Sequence, residues 1–252
     1  MTDPAGAQRR GLRDSLRWLG DASPGAAVWE AAGVTAAIVP AVPERSIINS
    51  VVYDDAGALD AAYDGLVDAY AAAGVVAWDV WTPDFDSDAL ELLRARGHTF
   101  DGAPAAMTLD LARFESPGIG DLDWDGEATF DELGRINDLG YGHGGADGIA
   151  AAFGGVSGGI PMRLYRARRG GETASVLATI DHDEDLGIYY VATAPDHGRQ
   201  GLAGRLLAVA LGEGRERGMR TSSLQSSAKG EPVYTRLGYV RDFRLNLYER
   251  RG

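Results

Sequence analysis

The stretch Ala194–Gly214, APDHGRQGLAGRLLAVALGEG, holds no acidic residue between Asp196 and Glu213, although the whole chain carries a formal charge of -13. A helix start leaves about four backbone N–H groups without intrahelical partners, and the aligned peptide dipoles place roughly half a positive charge there. Entered through a glycine-rich turn, such a start is an anion site. Gly198, Gly201 and Gly204 permit close approach of the main chain, and Arg199 and Arg205 add full charges. The chemistry this suits is the capture of a phosphate or diphosphate. The alternative is a tight turn that merely opens an ordinary helix.

Two familiar phosphate sites are excluded. The pattern GxxxxGK[ST] is absent, and the glycines run G-x-x-G-x-x-G rather than G-x-G-x-x-G. Three strands expected to be antiparallel precede them, which opposes a dinucleotide-binding βαβ unit.

With its flanks, the stretch VATAPDHGRQGLAGRLL resembles the GNAT superfamily of acyl-CoA-dependent N-acyltransferases, whose signature is [RQ]-x-x-G-x-[GA] between a strand and a helix. The aligned residues are Gly198, Arg199, Gln200, Gly201, Leu202 and Ala203, and the departure is Gly198, where the family has Arg or Gln. A second stretch, SAKGEPVYTRLGYV, is similar to the family's final helix, N-x-x-A-x-x-L-Y-x-K-L-G-F. Ser227 stands in the Asn place, Gly230 in the Ala place, Tyr234 in the Tyr place, and Leu237, Gly238 and Tyr239 in the Leu-Gly-Phe place. The resemblance covers roughly residues 121 to 250.

The resemblance implies a reaction and a set of roles. Acetyl-CoA is the acyl donor and no metal is needed. The backbone of Val191, Ala192 and Thr193 pairs with the pantetheine arm, and the amides from Arg199 through Gln200, Gly201, Leu202 and Ala203 to Gly204 take the pyrophosphate. Ser227 and Tyr234 complete the coenzyme site. An amine attacks the thioester directly, with a strand N–H near Val191 stabilising the tetrahedral oxyanion. Tyr234, whose hydroxyl has an ordinary pKa of about 10, returns a proton to the departing thiolate. An alkyl amine with a pKa of about 10.4 is almost entirely protonated at neutral pH, so a base is also required. Tyr189, His143, Asp147, Asp181 and Glu172 are candidates by location. The acceptor is an amine of a small molecule or peptide. The departures at Gly198 and Ser227 keep open a non-catalytic acyl-CoA-binding or scaffolding protein, and a purely structural pair of α+β domains stands as a third reading.

The elements that must position these residues fall into two halves. FESPGIGDLDWDGE, residues 114–127, reads as a linker, with a boundary near residue 116. The halves are 1–115, which resembles a degenerate GNAT-like unit, and 116–252, which the resemblance implies is the acetyltransferase domain. In the first, a strand over 45–55, a helix over 58–74, a buried strand over 75–81, a short helix over 87–98 and a strand over 105–114 are expected. In the second come a helix over 129–140, a meander of strands at 162–168, 175–181 and 187–193, the helix from Gly201 to about Arg217, a strand over 219–226, a helix over 231–239 and a strand over 243–250. The fold class is therefore α+β: a mixed, mostly antiparallel twisted sheet flanked by helices, preceded by a smaller α/β half. LRARGH and YTRLGY occupy corresponding places, a faint internal repeat. The first half's helix, with Asp60, Asp64 and Asp68 at successive turns, would repel a phosphate, and Leu93 stands at the offset of Tyr234.

At 252 residues and 45% hydrophobic content the chain can build an ample core. It has no cysteine, so disulfides and thiolate chemistry are excluded. A sequence pI near 4.7 opposes nucleic acid and anionic membranes as partners. No apolar run approaches the roughly 20 residues of a membrane span, and the N-terminus lacks the apolar segment of a signal peptide. A cytoplasmic protein is expected, with a homodimer left open.

Overall fold

Asp3 starts the first helix by accepting a hydrogen bond from the Gly6 amide (3.1 Å), with Pro4 at the position where a missing N–H costs nothing. This computed structural model describes residues 3–144, 148–156 and 161–252. The first 44 residues, to which the sequence reading assigns no element, form α1 (Pro4–Ala22) and the antiparallel pair β1 (Ala27–Ala31) and β2 (Val34–Ile38). Then follow β3 (Ser50–Tyr53), α2 (Ala56–Ala72), β4 (Ala77–Pro83), α3 (Ser87–Ala95), β5 (Thr99–Gly102) and β6 (Ala105–Asp110). The expected strand from residue 45 begins only at Ser50, because Asn49 folds residues 39–49 into turns. Its side chain accepts from the Val39 amide and donates to the Val42 and Arg45 carbonyls.

The second half runs β7 (Trp124–Asp125), α4 (Phe130–Tyr141), α5 (Ala150–Phe153), β8 (Met162–Arg169), β9 (Glu172–His182), β10 (Asp185–Thr193), α6 (Leu202–Glu216), β11 (Thr221–Ser226), α7 (Glu231–Arg236) and β12 (Val240–Arg251). Strands β8, β9 and β10 form the expected antiparallel meander. The helix expected over 231–239 is shorter. It stops at Arg236 because Gly238, at φ 98°, turns the chain back so that the Tyr239 amide reaches the Tyr234 carbonyl at 3.1 Å. Gly97, at φ 84°, closes α3 the same way, with the His98 amide on the Leu93 carbonyl at 3.0 Å.

The repeat is visible in topology. Both β1-β2-β3-α2-β4 and β8-β9-β10-α6-β11 comprise two antiparallel pairs and then a parallel pair joined through a helix. Each half then lends its last strand to the other. Strand β6 pairs with β11, and the end of β12 pairs with β4, giving the order β1-β2-β3-β4-β12-β6-β11-β10-β9-β8-β7 with β5 also on β12. Alternate side chains of this sheet feed separate cores. Helices α1, α4 and α5 pack on one face with Val52, Val176 and Leu247, while α6 and α7 cover Leu177 and α2 and α3 cover Val51 on the other. This is the mixed, largely antiparallel α+β sheet flanked by helices read from the sequence.

Helix α1 ties the halves together. Gln8, fully buried, donates to the Met107 and Leu224 carbonyls. Asp14 meets His182 Nδ1 at 2.8 Å, His182 Nε2 meets the Tyr189 hydroxyl at 2.8 Å, and that hydroxyl donates to the Gly11 carbonyl at 2.9 Å. The His182 contact, outweighing partial burial, holds the Asp14 carboxyl below its usual range. A depressed folded-state pKa gives stability that is present above the unfolded value of 3.8 and lost as pH falls through the folded one. Asp14→Asn should therefore melt below the parent at pH 6 and converge with it as pH falls through the depressed folded-state value. A melting-temperature difference that stays constant from pH 6 to 3 would contradict this.

Candidate active site

Strand β10 is irregular where chemistry is expected. It pairs in parallel with β11 only through Asp185–Gly187, and a bulge between Tyr189 and Ala192 breaks its register with β9. Tyr190, inside the bulge, has φ 53°, a conformation a non-glycine residue holds only when its surroundings impose it. Here Asn137 Nδ2 donates to the Tyr190 carbonyl at 2.9 Å, and the ring packs edge-on to Phe153. Beyond Gly187 the edge of β10 facing β11 has no strand partner. Val191 exposes its carbonyl to the Tyr141 hydroxyl at 3.3 Å, and the Ala192 carbonyl accepts from Ser175 at 2.9 Å.

The acid-free island follows at once. After a short 3-10 turn over Pro195–His197, Arg199 adopts φ 61° and Gly201 φ 73°, which brings the chain into α6. No side chain caps α6 and its first turn contains no acid, so the amides of Leu202, Ala203 and Gly204 keep their hydrogen-bonding capacity. The Leu202 side chain is buried in the core; Gln200 and Arg199 are exposed. Arg205, expected to add charge here, turns away to Asp121 (3.1 Å) and the Ile119 carbonyl (3.3 Å). The matching helix α2 is different in kind: Asp55 caps it by accepting from the Ala58 amide at 2.9 Å. Asp60 and Asp64 are both engaged by Arg96.

A cleft of about 450 Å³ opens between the halves. The second half contributes Tyr189, Tyr190, Val191, Ser227 and Tyr234, and the first contributes Leu12, Leu16, Arg45, Ile47, Ile48 and Trp81. Of the residues singled out from sequence, Val191, Ser227 and Tyr234 thus share one cavity; Ala192, Thr193 and the loop from Arg199 to Gly204 continue the chain beyond it. Ser227 begins the α7 turn, accepting the Gly230 amide at its hydroxyl (3.3 Å) and its carbonyl (3.0 Å). Tyr234 is 8% exposed and stacks edge-on against Tyr239, with ring centroids 5.8 Å apart. Burial, with Tyr141 nearby, pushes its hydroxyl well above the ordinary phenol value, so it keeps its proton.

The candidate bases separate. Tyr189 and His143 line the cleft, but the Tyr189 hydroxyl is turned to Gly11 and His182, and burial raises its pKa far above 10. Glu172 sits exposed at the start of β9, outside the cleft. Asp181 is held by Arg217 through two hydrogen bonds of 2.9 and 3.0 Å, also outside it. Asp147 lies outside the described residues. The acidic turn is likewise engaged: Glu184 pairs with Arg220, and Asp185 is buried and accepts from Thr221 and Ser223. Sequence reasoning missed Arg45 and Trp81. The signal for Arg45 is that residues 39–49 combine Pro40, Pro43 and Asn49, the composition of a structured turn.

Comparison with known proteins agrees with this geometry. Residues 161–251 match the model of the acetyltransferase (GNAT) domain. A GCN5-related N-acetyltransferase from Kribbella flavida superposes with a TM-score of 0.68 at 16% identity, over 97% of this chain and 95% of that one. A tandem GNAT protein from the clavulanic acid biosynthesis pathway superposes at 0.62 and 15% identity, over 96% and 87%. A GCN5-related N-acetyltransferase from Sphaerobacter thermophilus gives 0.58 and 14%, over 87% and 80%. No curated protein matches the sequence. No helix among the described residues is long and apolar enough to cross a membrane.

Proposed function

We propose that the protein is an N-acetyltransferase that uses acetyl-CoA and an amine acceptor, because residues 161–251 match the acetyltransferase (GNAT) domain model and the chain as a whole takes the fold of GCN5-related N-acetyltransferases. The observation that carries this reading is the contrast between two topologically equivalent helix starts. The start of α6 is uncapped and free of acid, whereas a carboxylate caps α2. Only the former suits a diphosphate. The amides from Arg199 to Gly204 would hold the diphosphate, and the free edge of β10 at Val191, Ala192 and Thr193 would hold the pantetheine arm. The coenzyme supplies an activated acyl thioester.

This chain's own residues then have distinct tasks. The Val191 region presents backbone polar groups to the reacting carbonyl. Tyr234, buried and neutral, stands ready to donate its proton. Apolar residues of the first half, among them Leu12, Leu16 and Ile48, keep water from the cleft. In this reading the first half has lost its own anion site and serves as a wall of the other half's cleft; the division near residue 116 is part of this proposal, since β6 and β12 are exchanged across it.

The second reading, a coenzyme-binding protein without catalysis, is favoured by one observation: among the described residues, the cleft shows no carboxylate free to act as base, since Asp138 is taken up by the Ile149 and Ala150 amides. A thiol-release assay with acetyl-CoA and a panel of primary amines separates the two. Release above the uncatalysed rate with at least one amine is expected. Coenzyme binding without release on any amine would favour the second reading.

A further inference from the structure

Most arginines of this chain are engaged. Arg96, Arg166, Arg205 and Arg217 each meet a carboxylate at 2.8 to 3.1 Å. Arg45 is different. Among the described residues its guanidinium forms no ion pair, and its Nε is buried with no hydrogen-bond partner. An arginine is always charged and carries five N–H donors, so leaving a buried one unused is costly unless a ligand completes it. Arg45 lines the cleft shared with Val191, Ser227 and Tyr234.

The turn that presents Arg45 is rigid. Its amide donates to the Val42 carbonyl (3.0 Å), and its carbonyl accepts from the Ile48 and Asn49 amides and from Asn49 Nδ2 (3.1 to 3.2 Å). Asn49 is itself fully buried. A cation fixed in this way is preorganised, because little backbone freedom remains to be lost on binding. Its charge acts on Asp79 and Asp101, each of whose carboxyls it pulls down, while Glu249 is held by Arg251. Asp79 is fully buried, and burial lifts its carboxyl to about 7, so it carries only part of a charge near neutrality, and it makes no ion pair with the guanidinium among the described residues.

We propose that Arg45 receives a carboxylate of the acyl acceptor, so that the acceptor is an amino-carboxylate with an apolar body: a hydrophobic amino acid or a short peptide with a free C-terminus. The assignment rests on the acyl-transfer reading above and names the substrate class for that same cleft. A single planar guanidinium matches a carboxylate through two parallel hydrogen bonds. A phosphate dianion would need more positive charge than one arginine set against Asp79 and Asp101 supplies. The apolar body has its counterpart in Leu12, Leu16, Ile47, Ile48 and Trp81. At about 450 Å³ the cleft lies in the range of small-molecule sites, roughly 300–1,000 Å³.

Calorimetric titration tests this without requiring turnover. L-leucine, L-phenylalanine and leucyl-leucine are compared with their C-terminal amides, with and without saturating coenzyme A, on the parent protein, Arg45→Lys and Arg45→Met. The amides keep the amine and the apolar body and lose only the anion. At least one acid should bind roughly tenfold tighter than its amide or more. Arg45→Met should erase that preference, Arg45→Lys should retain part of it, and coenzyme affinity should stay unchanged in both. If leucine and phenylalanine show the preference the ligand is a free amino acid, and if only leucyl-leucine does it is a peptide terminus. Equal binding of acids and amides, or no binding of any acid at millimolar concentration, overturns the assignment. So does weakened coenzyme binding in Arg45→Met, which would give Arg45 to the coenzyme. Failure of the acyl-transfer reading registers separately, as absence of coenzyme binding and of thiol release in the parent protein.

Discussion

Replacing Tyr234 by phenylalanine should slow thiol release about a hundredfold while leaving coenzyme affinity within about threefold. The substitution removes one oxygen. The edge-on packing against Tyr239 survives, and because the Tyr234 hydroxyl donates to no described residue, its loss leaves no buried partner stranded. Burial holds the hydroxyl neutral across the physiological range, which is the state a proton donor needs. The loss should therefore fall on kcat, read from steady-state thiol release, with the melting temperature unchanged. An equal drop in coenzyme affinity and rate would mean that Tyr234 shapes the binding site and does not donate a proton.

Gly204→Asp should weaken coenzyme A binding roughly 10- to 100-fold and should not lower the melting temperature. The two effects have opposite signs for one physical reason. A carboxylate in the first turn is favourable to the helix itself by about 0.3–1 kcal/mol, and aspartate is a better helix residue than glycine. The same charge would stand where a diphosphate has to sit. The position tolerates a side chain, since a Cβ there would meet only Val233 Cγ1, at 3.7 Å. Calorimetry and thermal melts on one preparation decide the matter. Unchanged affinity would remove the start of α6 from the coenzyme site; lower stability would mean that the loss of binding, if any, is structural.

The parts of the fold legible in the sequence are those with strong periodicity or strong punctuation. Helix α2 shows its face through Leu59, Tyr63, Leu66 and Tyr70, all buried. The meander is marked by its turn residues, and Gly97 and Gly238 reveal the repeated helix ending. Helix α1 is hidden because its buried face includes Gln8, Gly11, Ser15 and Gly20, residue types that blur an apolar stripe. Those glycines are set by close approach: a Cβ at Gly20 would lie 2.7 Å from the Ala27 backbone, and one at Gly11 3.0 Å from the Tyr189 hydroxyl. The exchange of β6 and β12 is illegible for another reason. Alternation of side chains says that a segment is a strand, and nothing about which strand lies beside it.

The candidate site divides along the same line. Its second-half members follow a local motif, so Ser227 and Tyr234 could be singled out, and the structure places them with Val191 in one cleft. Arg45, on the 39–49 turn, and Trp81, on β4, reach that cleft from far away in the chain, so no local motif ties them to it. Arg205 shows the converse error. Its place in the island suggested a phosphate ligand, but Asp121, more than 80 positions earlier, holds it. A charge's neighbours in sequence do not determine its partner in space.

The claim on which the functional reading depends is that main-chain amides at the start of α6 hold the diphosphate of coenzyme A. A crystal structure with coenzyme A bound is the direct measurement. The account predicts diphosphate oxygens within hydrogen-bond distance of amides between Arg199 and Gly204, with the pantetheine arm along β10 at Val191. A diphosphate at the Asp55-capped start of α2, or anywhere away from α6, would contradict it.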